Sequence, residues 1–208
     1  LLERQARNNG PVTVISCDNL SENGRVLENL VREFAAAANA DLLTYLDYRV
    51  TFPNTMVDRI VPATTDALRD EIASETGFFD ANPVSTEAFS EWIIEDKFAG
   101  ARPPWERVGT TIVDDVVPFE LRKLRLLNGA HSLLAYVGLL TGYKHVHEAI
   151  TDQGLRAIAQ GLMNEATDTL PDTIKSQAPA YCDALFERFA NPSLNHELAQ
   201  IAMDGSVK

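Results

Sequence analysis

Cysteine is scarce in this sequence: Cys17 and Cys182 are the only two in 208 residues. They stand far apart with no CxxC spacing. That argues against a disulfide framework or a cysteine-based structural zinc site, and two thiols fit a reducing compartment. Positive charge is scarce as well. Eighteen lysines and arginines face 30 acidic residues, for a formal net charge of -12. Phosphate recognition needs a basic face, so neither nucleic acid nor an anionic membrane is an expected partner. No apolar run reaches the roughly 18–20 residues of a membrane span. The N-terminal "LLERQARNNG" contains no signal-peptide core, and the expected location is cytoplasmic. What is present is an ordinary globular balance, 45% hydrophobic and 23% charged.

The first pattern is a strand followed by a helix. "PVTVISCDN" alternates and is β-branched at Val12, Val14 and Ile15. In "SENGRVLENLVREFAAAAN", Ser21 is placed to cap a helix with a stripe of Val26, Leu27, Leu30, Val31 and Phe34. One such unit reads as the tail end of an α/β sheet domain. The composition changes near residue 40. "DLLTYLDYRVTF" reads as a short helix ending at Pro53, and "TTDALRDEIASETG" as an amphipathic helix stopped by Gly77. "SEWIIEDKF" and "GTTIVDDV" are strand candidates. From Pro118 onward the pattern is helical, over about 118–140, 144–168, 176–190 and 194–202. The fold class expected is mainly α, a helical domain preceded by a last βα unit.

The stretch "KLRLLNGAHS", residues 123–132, lies in the most apolar part of the chain. At about 100° per residue, Glu120, Lys123, Asn128 and His131 project within an arc of roughly 140°. Leu124, Leu127 and Leu134 share that arc, so the face reads as a polar cluster on the wall of an apolar pocket. A plain reading also exists: Lys123 snorkels, His131 is a satisfied core histidine, and Asn128–Gly129 marks a kink or helix end. The chemical reading is that burial favours the neutral form of the lysine and makes it a usable general base. Asn128 then donates to a developing oxyanion and His131 orients a hydroxyl. Those groups suit alcohol–carbonyl chemistry without a metal. "HVHE" at 145–148 is a weak metal candidate, because His145 and His147 are two apart and point away from each other on a helix, with no third ligand; no metal is expected.

"KLRLLNGAHS" resembles the Lys-x4-Asn-x2-His motif of the long-chain mannitol dehydrogenase family, the zinc-independent polyol-specific secondary alcohol dehydrogenases. Five more stretches resemble it in order: "SCDNLSENG" at 16–24, "VTFPNTMVDRIVP" at 50–62, "WIIEDKFAGARPPWE" at 92–106, "RFANP" at 188–192 and "AMDGSVK" at 202–208. The resemblance implies hydride transfer between a nicotinamide cofactor, NAD or NADP, and a small polyol or sugar acid of the mannitol/fructose or mannonate/fructuronate type. It implies Lys123 as general base, and Asn19 and Asn128 as holders of the alkoxide or carbonyl oxygen. It makes His131 a substrate-orienting group, Asp58 a substrate-contacting carboxylate, Glu120 a route for proton exchange between lysine and solvent, and Lys208 a substrate-binding lysine. Gln200 stands where many polyol-oxidising members carry an arginine, a slight lean towards hexuronate reduction. Residues 1–39 are then the remnant of a dinucleotide-binding, Rossmann-type domain, and 40–208 a mainly helical C-terminal domain. A glycine fingerprint for the cofactor pyrophosphate is expected upstream, in a longer protein. The competing reading is a non-catalytic helical binding or assembly module with a remnant pocket.

Overall fold

The computed structural model describes residues 1–203. Along the chain, α1 (Leu2–Ala6), β1 (Val12–Thr13), α2 (Asn23–Ala38), α3 (Leu42–Arg49), β2 (Val50–Thr51) and β3 (Thr55–Asp58) come first. Next are α4 (Asp66–Thr76), β4 (Glu91–Glu95), β5 (Thr110–Val113) and α5 (Val117–Arg122). A π-helical segment, Lys123–Asn128, leads into α6 (Gly129–Leu140), then α7 (Val146–Thr151), α8 (Gln153–Asp168), α9 (Asp172–Lys175), α10 (Ala178–Phe189) and α11 (Leu198–Ala202). None of the described helices is long and apolar enough to cross a membrane. The chain divides into two compact units, residues 1–58 with 91–120, and residues 59–90 with 121–208. The compositional change near residue 40 falls inside the first.

In the first unit β1 runs parallel to β2, with Val12 opposite Val50 and Thr13 opposite Thr51. Two helices make the crossover that a parallel pair requires. Their buried residues Ala35, Leu42, Tyr45 and Leu46 pack with Val50 and Phe52. The stripe read from α2 is split. Leu27 and Val31 join this core, whereas Leu30 and Phe34 are exposed. Ser21 does not cap α2. The helix begins after Glu22, whose backbone is left-handed (φ 51°), and the Arg25 N–H is taken by the Asn54 side chain at 3.1 Å. Gly24 lets the helix start touch the neighbouring chain, since a Cβ there would sit 2.4 Å from the Pro53 carbonyl oxygen.

The expectation of a single βα unit was incomplete. The helix ends at Arg49 and "VT" at 50–51 is strand, because β-branched residues pair with β1 before Pro53. A second sheet of order β3-β4-β5 follows, antiparallel between β3 and β4 and parallel between β4 and β5. Met56, Ile93 and Val116 form its core with Val113 and Phe119.

In the second unit, Thr65 caps α4 by accepting from the Leu68 N–H, and Gly77 ends it at φ 75°. α6 is enclosed by α7, α8 and α11. Its residues Ala130, Leu134 and Ala135 are buried, as are Leu155, Ala159 and Met163 of α8 and Leu198 of α11. The stretch read as one helix over 144–168 is two, since Asp152 is extended and caps α8 through the Leu155 N–H. A buried ion pair ties segment 59–90 to α10: Arg188 makes a two-pronged contact with Glu87 at 2.9 and 2.7 Å. The same carboxylate accepts the Ile60 N–H at 2.6 Å, and the Arg188 guanidinium lies 4.0 Å from the Phe89 ring centre.

Candidate active site

Three of the expected site residues lie in the first unit. Asn19 is on the loop between β1 and α2, at the carboxyl end of a parallel strand, where such sheets hold ligands. The loop is pinned by a buried hub. Asn23 donates to the Asp18 carbonyl and the Thr55 hydroxyl, both at 3.0 Å, and accepts from the Thr55 N–H at 2.8 Å. Thr55 in turn donates to the Ser16 carbonyl at 2.7 Å. The side-chain polar atoms of Asn23 and Thr55 are all matched, as burial to this degree requires. The Glu120 carboxylate accepts the Glu22 N–H at 3.1 Å, bringing Glu120 against the same loop. Burial pushes the Glu120 carboxyl above its ordinary value, more than that one donor lowers it. Asp58 ends β3 and is buried, with Glu91 opposite on β4.

A second buried carboxylate, Glu95, was not singled out from sequence. Burial pushes it up, but the Asn54 N–H at 3.0 Å, the Asn54 amide and the Lys97 ammonium more than offset this, so it titrates below its ordinary value. Through Asn54 it steadies the start of α2.

Lys123, Asn128, His131 and Gln200 lie in the second unit. The straight α-helix assumed from sequence is wrong at the decisive place. Lys123–Asn128 is π-helical, and the Gly129 N–H reaches back to the Leu124 carbonyl. In an i→i+5 ladder each residue advances by less than the roughly 100° of an α-helix. Lys123 and Asn128 are five apart, so the widened turn narrows the roughly 140° that an α-helix would put between them. Leu126 and Leu127 are buried in this turn, Lys123 is half-buried and Leu124 is exposed. His131, one turn into α6, is buried with its ring 4.4 Å from Phe189 and edge-on to His196 at 5.4 Å. It lines a small void with Ile60, His147, Arg188 and Asn191. Gln200, on α11, accepts the Ala63 N–H at 3.5 Å. Lys208 lies outside the described residues.

Arg188, which lines the void with His131, was missed, as was its ion-pair partner Glu87. The signal for Arg188 was available in "RFANP", whereas nothing local marks Glu87. The reading of "HVHE" also needs correction. His145 and His147 do not point apart. His145 precedes α7 in an extended conformation (φ -118°, ψ 155°), which turns its ring onto that of His147, with ring centres 5.3 Å apart and planes 16° from parallel. Glu148 supplies a third potential ligand beside them.

Comparison with known proteins gives a consistent result. Residues 1–107 match the family model described as the mannitol dehydrogenase Rossmann domain, and residues 115–208 the mannitol dehydrogenase C-terminal domain. The chain is 48% identical over 197 residues to a D-mannonate oxidoreductase of Escherichia coli K12, covering 94% of this chain and 40% of that protein. It is 41% identical over 212 residues to a mannitol 2-dehydrogenase of Phaeosphaeria nodorum, covering 100% of this chain and 37% of that one. Among solved structures, the mannitol 2-dehydrogenase of Pseudomonas fluorescens, in a ternary complex with NAD and D-mannitol, matches with a TM-score of 0.81 and 40% identity over 96% of this chain and 41% of that chain. A D-sorbitol dehydrogenase in substrate-free form matches with a TM-score of 0.88 and 34% identity, over 98% and 42%. The chain thus spans about two fifths of the length of the proteins it matches.

Proposed function

The chain belongs to the mannitol dehydrogenase family, and from that premise we propose that it is the catalytic part of an oxidoreductase. The reaction is hydride transfer between NAD and a polyol or sugar acid. The observation that supports this reading is the π-helical turn over Lys123–Asn128, which narrows the angle between those two residues, with His131 following on α6.

The roles follow from the chemistry of each group. Oxidation of a secondary alcohol removes a hydride from carbon and a proton from oxygen. Lys123 takes the hydroxyl proton, and returns one to the alkoxide during reduction. Asn128 and Asn19 donate N–H groups to the oxygen as its charge develops, which favours the transition state over the neutral ground state. His131 is fixed by Phe189 and orients the substrate hydroxyl, and Asp58 and Lys208 contact the remaining hydroxyls or a carboxylate. Glu120, whose carboxyl burial pushes above its ordinary value, exchanges protons between the lysine and solvent. The reaction assigned to these groups needs no metal.

The residues present fit one end of the cofactor. The parallel strands β1 and β2 both end beside the Asn23–Thr55 hub, and the carboxyl ends of parallel strands are where this fold holds a nicotinamide. When bound, NAD supplies the hydride acceptor. The substrate reading leans to mannonate and fructuronate, supported by Gln200 and by the likeness to the D-mannonate oxidoreductase.

The test is steady-state kinetics of the full-length protein with mannonate, fructuronate and mannitol. Lys123→Met keeps the apolar stem and is expected to lower kcat by about 10²–10⁴-fold without changing the fold. Unchanged turnover in that variant removes the lysine from the mechanism and returns the non-catalytic module to first place.

A further inference from the structure

We propose that His145, His147 and Glu148 form a binding site for a divalent transition-metal ion of the zinc class, distinct from the groups assigned to hydride transfer. One potential ligand atom from each lies within 4.8 Å of the other two. The two imidazoles come together because His145 stands outside α7 in extended backbone, so neighbours two apart share a side instead of opposing one another. Glu148 is already oriented. Its Oε2 accepts the N–H groups of Lys144 and His145 at 3.0 and 2.8 Å, leaving Oε1 as a further donor atom. His147 Nδ1 is buried with no hydrogen-bond partner among the described residues, the kind of orphan atom that a bound ion or water would satisfy.

The backbone beneath the cluster is also fixed. The Val146 N–H donates to the His196 carbonyl at 3.0 Å and the Leu198 N–H to the Lys144 carbonyl at 2.9 Å. Two imidazoles and one carboxylate favour zinc-like ions, whereas magnesium and calcium demand oxygen ligands. Donors around a tetrahedral zinc stand about 3.3 Å apart. Closing a separation of up to 4.8 Å takes about 1.5 Å of side-chain rotation, which turns the two rings out of their stack. The fourth position is left to water. His147 lines the same void as His131, so an ion here bears on the wall that carries His131.

The test is titration of chelator-treated full-length protein, without cofactor or substrate, using Co²⁺ as a spectroscopic probe and Zn²⁺ as competitor. The expected result is the intense visible absorption of four-coordinate Co²⁺ at one equivalent, lost when Zn²⁺ displaces it, with no response to Mg²⁺. His147→Gln and His145→Gln should each weaken Zn²⁺ binding by at least about tenfold, while Cys17→Ser and Cys182→Ser leave it unchanged. Melting of the metal-free variants reports whether they fold; should His147→Gln fail to fold, His145→Gln, at the helix entry, decides the question. Absence of the Co²⁺ band, or unchanged Zn²⁺ affinity in the folded histidine variants, overturns the proposal.

Discussion

Removing the Asn23 side chain tests how the Asn19 loop is held. Asn23 is 2% exposed and serves three segments at once. In Asn23→Ala the Thr55 N–H loses its acceptor, whereas the Asp18 carbonyl loses the amide but keeps the Leu20 N–H at 2.9 Å. The Thr55 hydroxyl keeps only its own donation to Ser16. A buried polar group left unsatisfied costs about 1–3 kcal/mol, so the one stranded N–H gives about 2 kcal/mol. At 1.4 kcal/mol per factor of ten, local opening becomes roughly 30-fold more frequent. Hydrogen exchange followed by mass spectrometry reads this directly. Peptides covering 14–24 and 52–58 should exchange roughly 30-fold faster, while those covering α6 and α8 stay protected. In the same variant kcat should fall more than KM rises, since a displaced Asn19 loses contact with the charge that develops in the transition state. Unchanged exchange over 14–24 in a folded variant would refute the argument that this hub positions the loop.

Three further outcomes follow from separate places. Arg188→Met strands the Glu87 carboxylate in the core and should cost about 3–5 kcal/mol in chemical denaturation. The double variant Glu87→Leu/Arg188→Met should recover most of that loss, because the cost lies in the unpaired charge. Gly24→Ala drives a methyl against the Pro53 backbone, which cannot rotate away, and should cost about 3 kcal/mol, the upper end for overpacking. Glu95 titrates below its ordinary value when folded, so its stabilisation is complete above the ordinary carboxylate range and is lost as the pH falls through the lowered value. Glu95→Gln should therefore flatten the acid limb of a melting-temperature profile; an unaltered limb would show that Glu95 adds nothing there.

How much of this was legible in the sequence depended on the range of the interaction. Strands β1, β4 and β5, the Gly77 stop and the apolar side of α6 rest on local patterning, which the sequence displays directly. The cap of α2 was misread because the group that satisfies Arg25 N–H is Asn54, 29 residues away. No local motif encodes such a partner. β2 was misread because two β-branched residues behind a helical pattern gain their strand character only from pairing with β1. Glu87 was invisible for the same reason, since its meaning comes from Arg188, 101 residues on.

The two errors nearest the chemistry share a different cause, the assumption of one fixed helical period. At 100° per residue Lys123 and Asn128 fall on the same broad face but well apart, and His145 and His147 oppose each other. In the structure one segment is wound wider and the other residue stands outside its helix. A π turn gives up the usual i→i+4 bonds, so an apolar run such as "LRKLRLLNGAHSLL" has no reason of its own to adopt one. The gain must lie in what the turn does with its side chains. It brings a lysine and an asparagine nearer to one face while Leu126 and Leu127 stay in the core. Deleting one residue from the widened turn, in the manner of ΔLeu124, would restore α-helical winding from Arg122 onward. The helix should then be as stable or more so, and Lys123 and Asn128, now four apart, would stand about 40° apart on one face, so part of the turnover should survive. A shortened protein that is stable and wholly inactive would show that bringing these two residues to one face is not what the site takes from the π turn.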